Sequence, residues 1–119
     1  MGHTYAEVRV HSPRLLRHED VKLLVDTGST YTWISKSILE QLEIKPRGTR
    51  RFKTIDGRLL ERNVSETMVE CMNELATTIV VFAEEGDTQV LGVYALEGLG
   101  LEVDPVTKEL RKAESMLAI

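Results

Sequence analysis

The chain is expected to be mainly β, and three observations carry that expectation. Aromatic residues make up only 5% of the 119 residues, so Val, Ile and Leu must fill the core, and these favour sheets when they cluster in short runs. Residues Tyr5 to Val10 alternate, with Ala6, Val8 and Val10 set against Glu7 and Arg9. Between Arg50 and Arg62 two strand-like runs flank Asp56-Gly57, which is the strongest hairpin signal in the chain. The length suits one domain over residues 1–119, and no low-complexity stretch or Pro/Gly/Ser-rich linker divides it. A composition of 42% hydrophobic and 29% charged residues is that of a chain able to build its own core.

Taken in order, Tyr5 to Val10 is the first strand, followed by a polar turn around Ser12 and Pro13 that extends to His18-Glu19-Asp20. Val21 to Val25 is a buried strand that runs straight into Asp26-Thr27-Gly28-Ser29-Thr30. Ile38, Leu39 and Leu42 have helical spacing, Ser37 with Glu40 suggests a capping box, and Pro46 stops this short helix. The hairpin follows, with a two-residue turn at Asp56-Gly57. Glu66 to Met72 and Ala76 to Phe82 are further strands around Asn73-Glu74, and Glu84-Glu85-Gly86-Asp87 is an acidic loop. Val90-Leu91-Gly92 is a short apolar run, Val93 to Glu97 one helical turn ending at Gly98, and Leu101 to Arg111 a terminal hairpin.

Fifteen basic against nineteen acidic residues leave a net charge of −4, which argues against a nucleic-acid partner, whose binding domains carry an overall basic surface. Cys71 is the single cysteine, so no internal disulfide can form, no zinc spacing is present and a cytoplasmic setting is expected. The first residues lack the apolar core of a signal peptide, and no apolar stretch is long enough to span a bilayer, so no membrane partner is expected. Asn63-Val64-Ser65 matches a glycosylation sequon that such a setting would leave unused.

The main chemical signal is Leu23-Leu24-Val25-Asp26-Thr27-Gly28-Ser29-Thr30, which puts a carboxylate at the exit of a buried strand, followed by a hydroxyl, a glycine and two more hydroxyls. An Asp-initiated turn built from ordinary turn residues is one reading. The segment also resembles the aspartic protease family, in particular its single-domain, retroviral-type branch, whose signature is apolar-apolar-Asp-Thr-Gly-Ser/Ala. Three further features extend the resemblance over about Val21 to Asp104. Trp33 follows Asp26 at the spacing of a tryptophan in pepsin-like members. The Asp56-Gly57 hairpin falls where the family has its substrate-covering flap, and Val90-Leu91-Gly92 looks like the segment that packs behind the catalytic loop.

The resemblance implies a retropepsin-like closed antiparallel β fold with one short helix and a flap hairpin. It implies an aspartic endopeptidase that needs no metal or other cofactor. Hydrolysis of a peptide bond at mild pH needs a base to activate water and an acid to protonate the substrate, and two adjacent carboxylates sharing a proton supply both. One Asp-Thr-Gly copy therefore implies a homodimer with the active site on its axis. Asp26 would be the catalytic carboxylate, Thr27 would cross-link the two loops, and Gly28 would let a substrate backbone approach. Ser29 would set a hydroxyl beside the carboxylate, and Trp33 would line a pocket or serve as a core aromatic. Ile55, Asp56 and Gly57 would form the substrate-facing flap tip. The apolar tail Met116 to Ile119 would join the dimer interface.

Two features depart from that pattern. The family's arginine after the apolar-apolar-Gly segment, and the acid it pairs with, are replaced here by Val93-Tyr94 and Thr30, and the hairpin has only Gly57 at its tip. A non-catalytic dimeric module of the same fold, binding peptides or supporting assembly, is the rival reading. Asp26 to Tyr31 also resembles the first phosphate loop of the actin-type ATPases, a fold that needs a far longer chain. Gly98-Leu99-Gly100 lacks the rest of a dinucleotide fingerprint, and His3, His11 and His18 lie apart with no nucleophile near in sequence. From Lys45 to Arg62 seven cations stand against two carboxylates, a net +5 in an acidic chain. They either solvate an edge hairpin or favour acidic peptides.

Overall fold

The computed structural model describes residues 3–115. Its elements are β1 (Tyr5–His11), β2 (His18–Val25), β3 (Thr32–Ser35), α1 (Lys36–Gln41), β4 (Gly48–Lys53), β5 (Leu59–Cys71), β6 (Glu74–Ala83), β7 (Val90–Leu91), α2 (Val93–Leu99), β8 (Leu101–Val103) and β9 (Leu110–Lys112). Seven strands form one sheet in the order β1-β2-β7-β3-β6-β5-β4, and β1 also pairs with β5. That extra pairing, Arg9 opposite Glu70 and Val10 opposite Val69, closes the sheet on itself and leaves β4 as its free edge. The expected mainly β, closed fold is present.

Closure places alternate residues inside. Val8, Val10, Leu23, Ile34, Val69, Val80, Phe82 and Leu91 are buried to within a percent or so, and Leu39, Leu96 and Leu99 close the core from the two helices. Removing one of these large side chains would cost about 2–5 kcal/mol, because the cavity could not collapse against a closed sheet.

The details differ from the sequence expectation in instructive ways. The sheet is mixed rather than purely antiparallel: β7 runs parallel to β2, and β3 runs parallel to β6. Strand β2 begins at His18, inside the segment expected as turn, because His18 to Asp20 pair with Arg9 to His11. The expected capping box does not form. Ser35 is the N-cap without a side-chain cap bond, and its Oγ lies 2.8 Å from Ser37 Oγ. The second helix extends past Gly98, whose missing side chain leaves room for Ala76, and ends at Gly100 with φ +70°. The turn between β5 and β6 is Met72-Asn73, both at positive φ as in a two-residue hairpin of the primed kind, one position before the expected one. The terminal hairpin forms a separate two-stranded sheet, β8 with β9. The tail residues Met116 to Ile119 expected at a dimer interface lie outside the described residues.

Candidate active site

Strand β2 delivers Asp26 to the mouth of a cleft. The Asp26 N–H donates to the Leu91 carbonyl (3.0 Å), which extends the parallel β2–β7 ladder by one residue. Its Oδ1 accepts the Gly28 N–H (2.9 Å) and its carbonyl accepts the Ser29 N–H (3.1 Å), so the carboxylate starts a side-chain-bonded turn as Asp residues commonly do. The other carboxylate oxygen makes no bond within the chain among the described residues, and the side chain is half-buried. The turn therefore holds the carboxylate in the cleft lining by one of its two oxygens.

The turn is stitched to the segment behind it. Val93 N–H donates to Ser29 O (2.8 Å), Tyr94 N–H to Thr30 O (3.1 Å), and Gly92 N–H to the fully buried Thr32 Oγ1 (3.0 Å). Gly92 has no room for any side chain: a Cβ there would stand 2.9 Å from Ser29 O and closer still to Tyr31 O. Val90-Leu91-Gly92 thus packs behind the Asp26 turn, as the family resemblance implies.

The opposite wall of the cleft is the β4–β5 hairpin. Lys53 pairs with Leu59, and Thr54 N–H donates to Arg58 O (2.9 Å) while Gly57 N–H donates to Thr54 O (2.9 Å). Gly57 has φ +89°, so the tip is a three-residue turn, Ile55-Asp56-Gly57, closed by a glycine bulge rather than the expected two-residue turn. Between turn and hairpin lies a cleft of about 640 Å³. Asp26, Gly28, Ser29, Trp33 and Ile55 line it; Thr27, Asp56 and Gly57 do not. Thr27 is exposed on the turn beside it. Asp56 turns back on its own loop, accepting from Thr54 Oγ1 and facing Arg58 Nε (3.3 Å), and the Thr54 hydroxyl holds its carboxyl below the usual range. The Ser29 hydroxyl donates to Tyr31 O (2.9 Å), which braces the turn.

With this geometry in view, the family described as gag-polyprotein putative aspartyl protease matches residues 15–98. The chain belongs to this family. The match takes in the Asp26 turn, the hairpin and the Gly92 segment together. No curated protein matches the chain.

Where the retroviral-type members carry an ion pair behind the catalytic loop, this member has aromatic packing. Tyr94 meets Tyr31 edge-on with ring centres 6.2 Å apart, Tyr31 meets Phe52 at 6.2 Å, and Phe52 meets Trp33 at 5.0 Å. Arg50 lies over the Tyr31 ring and donates to its hydroxyl. One chain of rings thereby links α2, the residues after the Asp26 turn and the root of the hairpin. Trp33 is half-buried against Phe52 and lines the cleft, and it is not part of the core cluster.

The sequence reading did not single out Phe52 or Asp87, both of which line the cleft. The alternation around Phe52 was visible. Asp87 looked like one of several loop acids, and its partner Arg62 is 25 residues away. Arg62 Nε and its terminal nitrogen grip both Asp87 oxygens (2.7 and 3.1 Å), Glu84 N–H adds a third bond (2.8 Å), and the two side chains are only 17% and 13% exposed. The Arg62 hydrogen bond holds the Asp87 carboxyl below the usual range, and Asp87 in turn raises the guanidinium. None of His3, His11 and His18 lines this cleft; His11 Nε2 lies 3.2 Å from Glu70 Oε1 on the β1–β5 seam. Among the described residues no cluster of His, Cys, Asp and Glu could hold a metal ion, and no helix is long and apolar enough to cross a membrane.

Proposed function

We propose that the chain is an aspartic endopeptidase whose active unit is a homodimer, with one Asp26 from each copy at the two-fold axis. The observation that carries this reading is the Asp26 carboxylate, bonded to its own turn through one oxygen, half-buried and lining a cleft roofed by a hairpin. A single such carboxylate cannot be base and acid at once. Two held together share one proton, because neither can ionise fully beside the other. The ionised member takes a proton from water as its oxygen attacks the peptide carbonyl carbon, and the protonated member donates to the carbonyl oxygen. Collapse of the intermediate breaks the C–N bond and delivers a proton to the departing amine. Thr27 would meet its counterpart across the axis, a role that its exposure beside Asp26 supports. Ile55, Asp56 and Gly57 would cover an extended peptide laid along the cleft.

Incubation with a diverse peptide mixture, read by mass spectrometry, tests this. Cuts should appear with the wild-type chain and fall by at least about 10³-fold in Asp26→Asn, within the range general acid–base groups supply. Activity per subunit should drop on dilution toward monomer, and the rate should peak at acid pH and fall as the shared proton of the pair is lost. Peptide binding without any cutting would leave the non-catalytic module instead.

A further inference from the structure

We propose that the cleft selects acidic peptide substrates, through the uncompensated cations Arg51 and Lys53 with Arg58 beside them; this rests on the endopeptidase reading above. Of the cations between Lys45 and Arg62, two are held by carboxylates: Arg62 by Asp87 and Arg47 by Glu66 (2.6 Å). Arg50 keeps its charge, lying against the Tyr31 ring and hydroxyl outside the cleft lining. Arg51 and Lys53 form no ion pair among the described residues, Glu61 standing opposite Arg51 in the β4–β5 register without bonding to it, and Arg58 meets only Asp56 at 3.3 Å with both side chains largely exposed. All three line the cleft. The carboxylates that line it are Asp26 and Asp87, and the latter is cancelled by Arg62. The lining of the wall facing Asp26 therefore carries more positive than negative charge, since neither Asp56 nor Glu61 lines the cleft.

Position makes that charge useful. Strand β4 is the free edge of the sheet, so a peptide reaching Asp26 passes along the strand that carries Arg51 and Lys53 at alternate positions. Both side chains are exposed, which makes each ion pair weak but lets the two steer an approaching acidic chain over a Debye length of about 10 Å at 0.1 M salt. The effect belongs to encounter rather than to the chemical step, so it acts on kcat/KM and fades with salt.

The test uses three peptide pools with the same randomised centre and flanks of Glu, Gln or Lys. At low ionic strength the Glu pool should be cut with a roughly ten-fold higher kcat/KM than the Lys pool, each factor of ten corresponding to about 1.4 kcal/mol. High salt should erase the difference, as should Arg51→Gln/Lys53→Gln. Arg14→Gln/Lys22→Gln removes the same charge elsewhere and should keep the preference. Equal rates for the three pools, or a preference untouched by Arg51→Gln/Lys53→Gln, would overturn the proposal while leaving the endopeptidase standing. Fluorescence polarisation of the same pools on Asp26→Asn separates the other failure. Tighter binding of the Glu pool upholds the charge selection even where no wild-type cutting is seen, and equal binding overturns it.

Discussion

The Asp26 turn and the Ile55-Asp56-Gly57 tip face one another across a single cleft, and they are held by opposite means. The turn is backed by protein: Leu91 and Gly92 lie behind it, Gly92 N–H donates to Thr32 Oγ1, and the Val93 and Tyr94 N–H groups donate to the carbonyls of Ser29 and Thr30. The tip is fastened only to itself, through Thr54, Asp56 and Arg58, with Ile55 fully exposed. Local opening is governed by how many packed contacts must break, so the tip should open far below the global unfolding free energy and the turn only with it. A site that must hold a carboxylate still while admitting a chain needs that division. The aromatic row from Tyr94 to Phe52 marks the boundary, since it ties the root of the hairpin, and not its tip, to the turn.

The largest expected effect comes from the turn. Gly92→Ala would push a methyl group into the Ser29 and Tyr31 carbonyls, which are backbone atoms and cannot swing away. Overpacking typically costs 1–3 kcal/mol, and here the strands β2, β3 and β7 would have to part, so about 3 kcal/mol or more is expected in urea unfolding. A loss under about 1 kcal/mol would mean that the backing segment is loosely held and would dissolve the contrast.

Next in size is the clamp between strand β5 and the loop before β7. Asp87→Asn leaves Arg62 largely buried without its charge partner and should cost about 2 kcal/mol, while Asp87→Asn combined with Arg62→Met should recover much of that. The sign of the pH effect follows from the depressed Asp87 carboxyl. A group held below its unfolded value stabilises the fold above the ordinary carboxylate range, and that stability is lost as pH falls through this range and below it. The difference in urea midpoint between wild type and Asp87→Asn should therefore be full at neutral pH and shrink on acidification. A difference that grew toward acid would show that the pair is not formed.

How much of this could be read from the sequence depended on how local the cause was. The Asp26 turn was legible because Asp, Gly and Ser bond to one another within four positions. The Gly92 segment was legible as a pattern, but the carbonyls that forbid a side chain there come from residues some sixty positions earlier. Strand β3 escaped notice because Thr32 to Ser35 is four residues wedged between a turn and a helix, too short for its alternation to show. The parallel pairings of β2 with β7 and β3 with β6 leave no mark in either strand alone. The Ser37/Glu40 box failed because Ser35, two residues earlier, is the residue that enters the helix.

The smallest effect should come from the tip, and it sharpens the contrast because the residue type is again glycine. Gly57 needs freedom of φ rather than space: it sits at +89°, and a Cβ would meet nothing within 4 Å. Gly57→Ala should therefore cost about 1–2 kcal/mol of backbone strain and no packing. Gly57→Asn should cost less, since Asn visits the left-handed region more readily. Because the loop can relax without disturbing the core, part of this strain can be relieved locally, so the urea midpoint should move less than for Gly92→Ala. Amide exchange should separate the two variants further. Strain at Gly57 should speed exchange in Thr54 to Arg58 alone, whereas damage at Gly92 should expose β2, β3 and β7 together. An equal loss of stability from both glycines, with exchange spreading through the core in each, would mean that the tip is packed as firmly as the turn it faces.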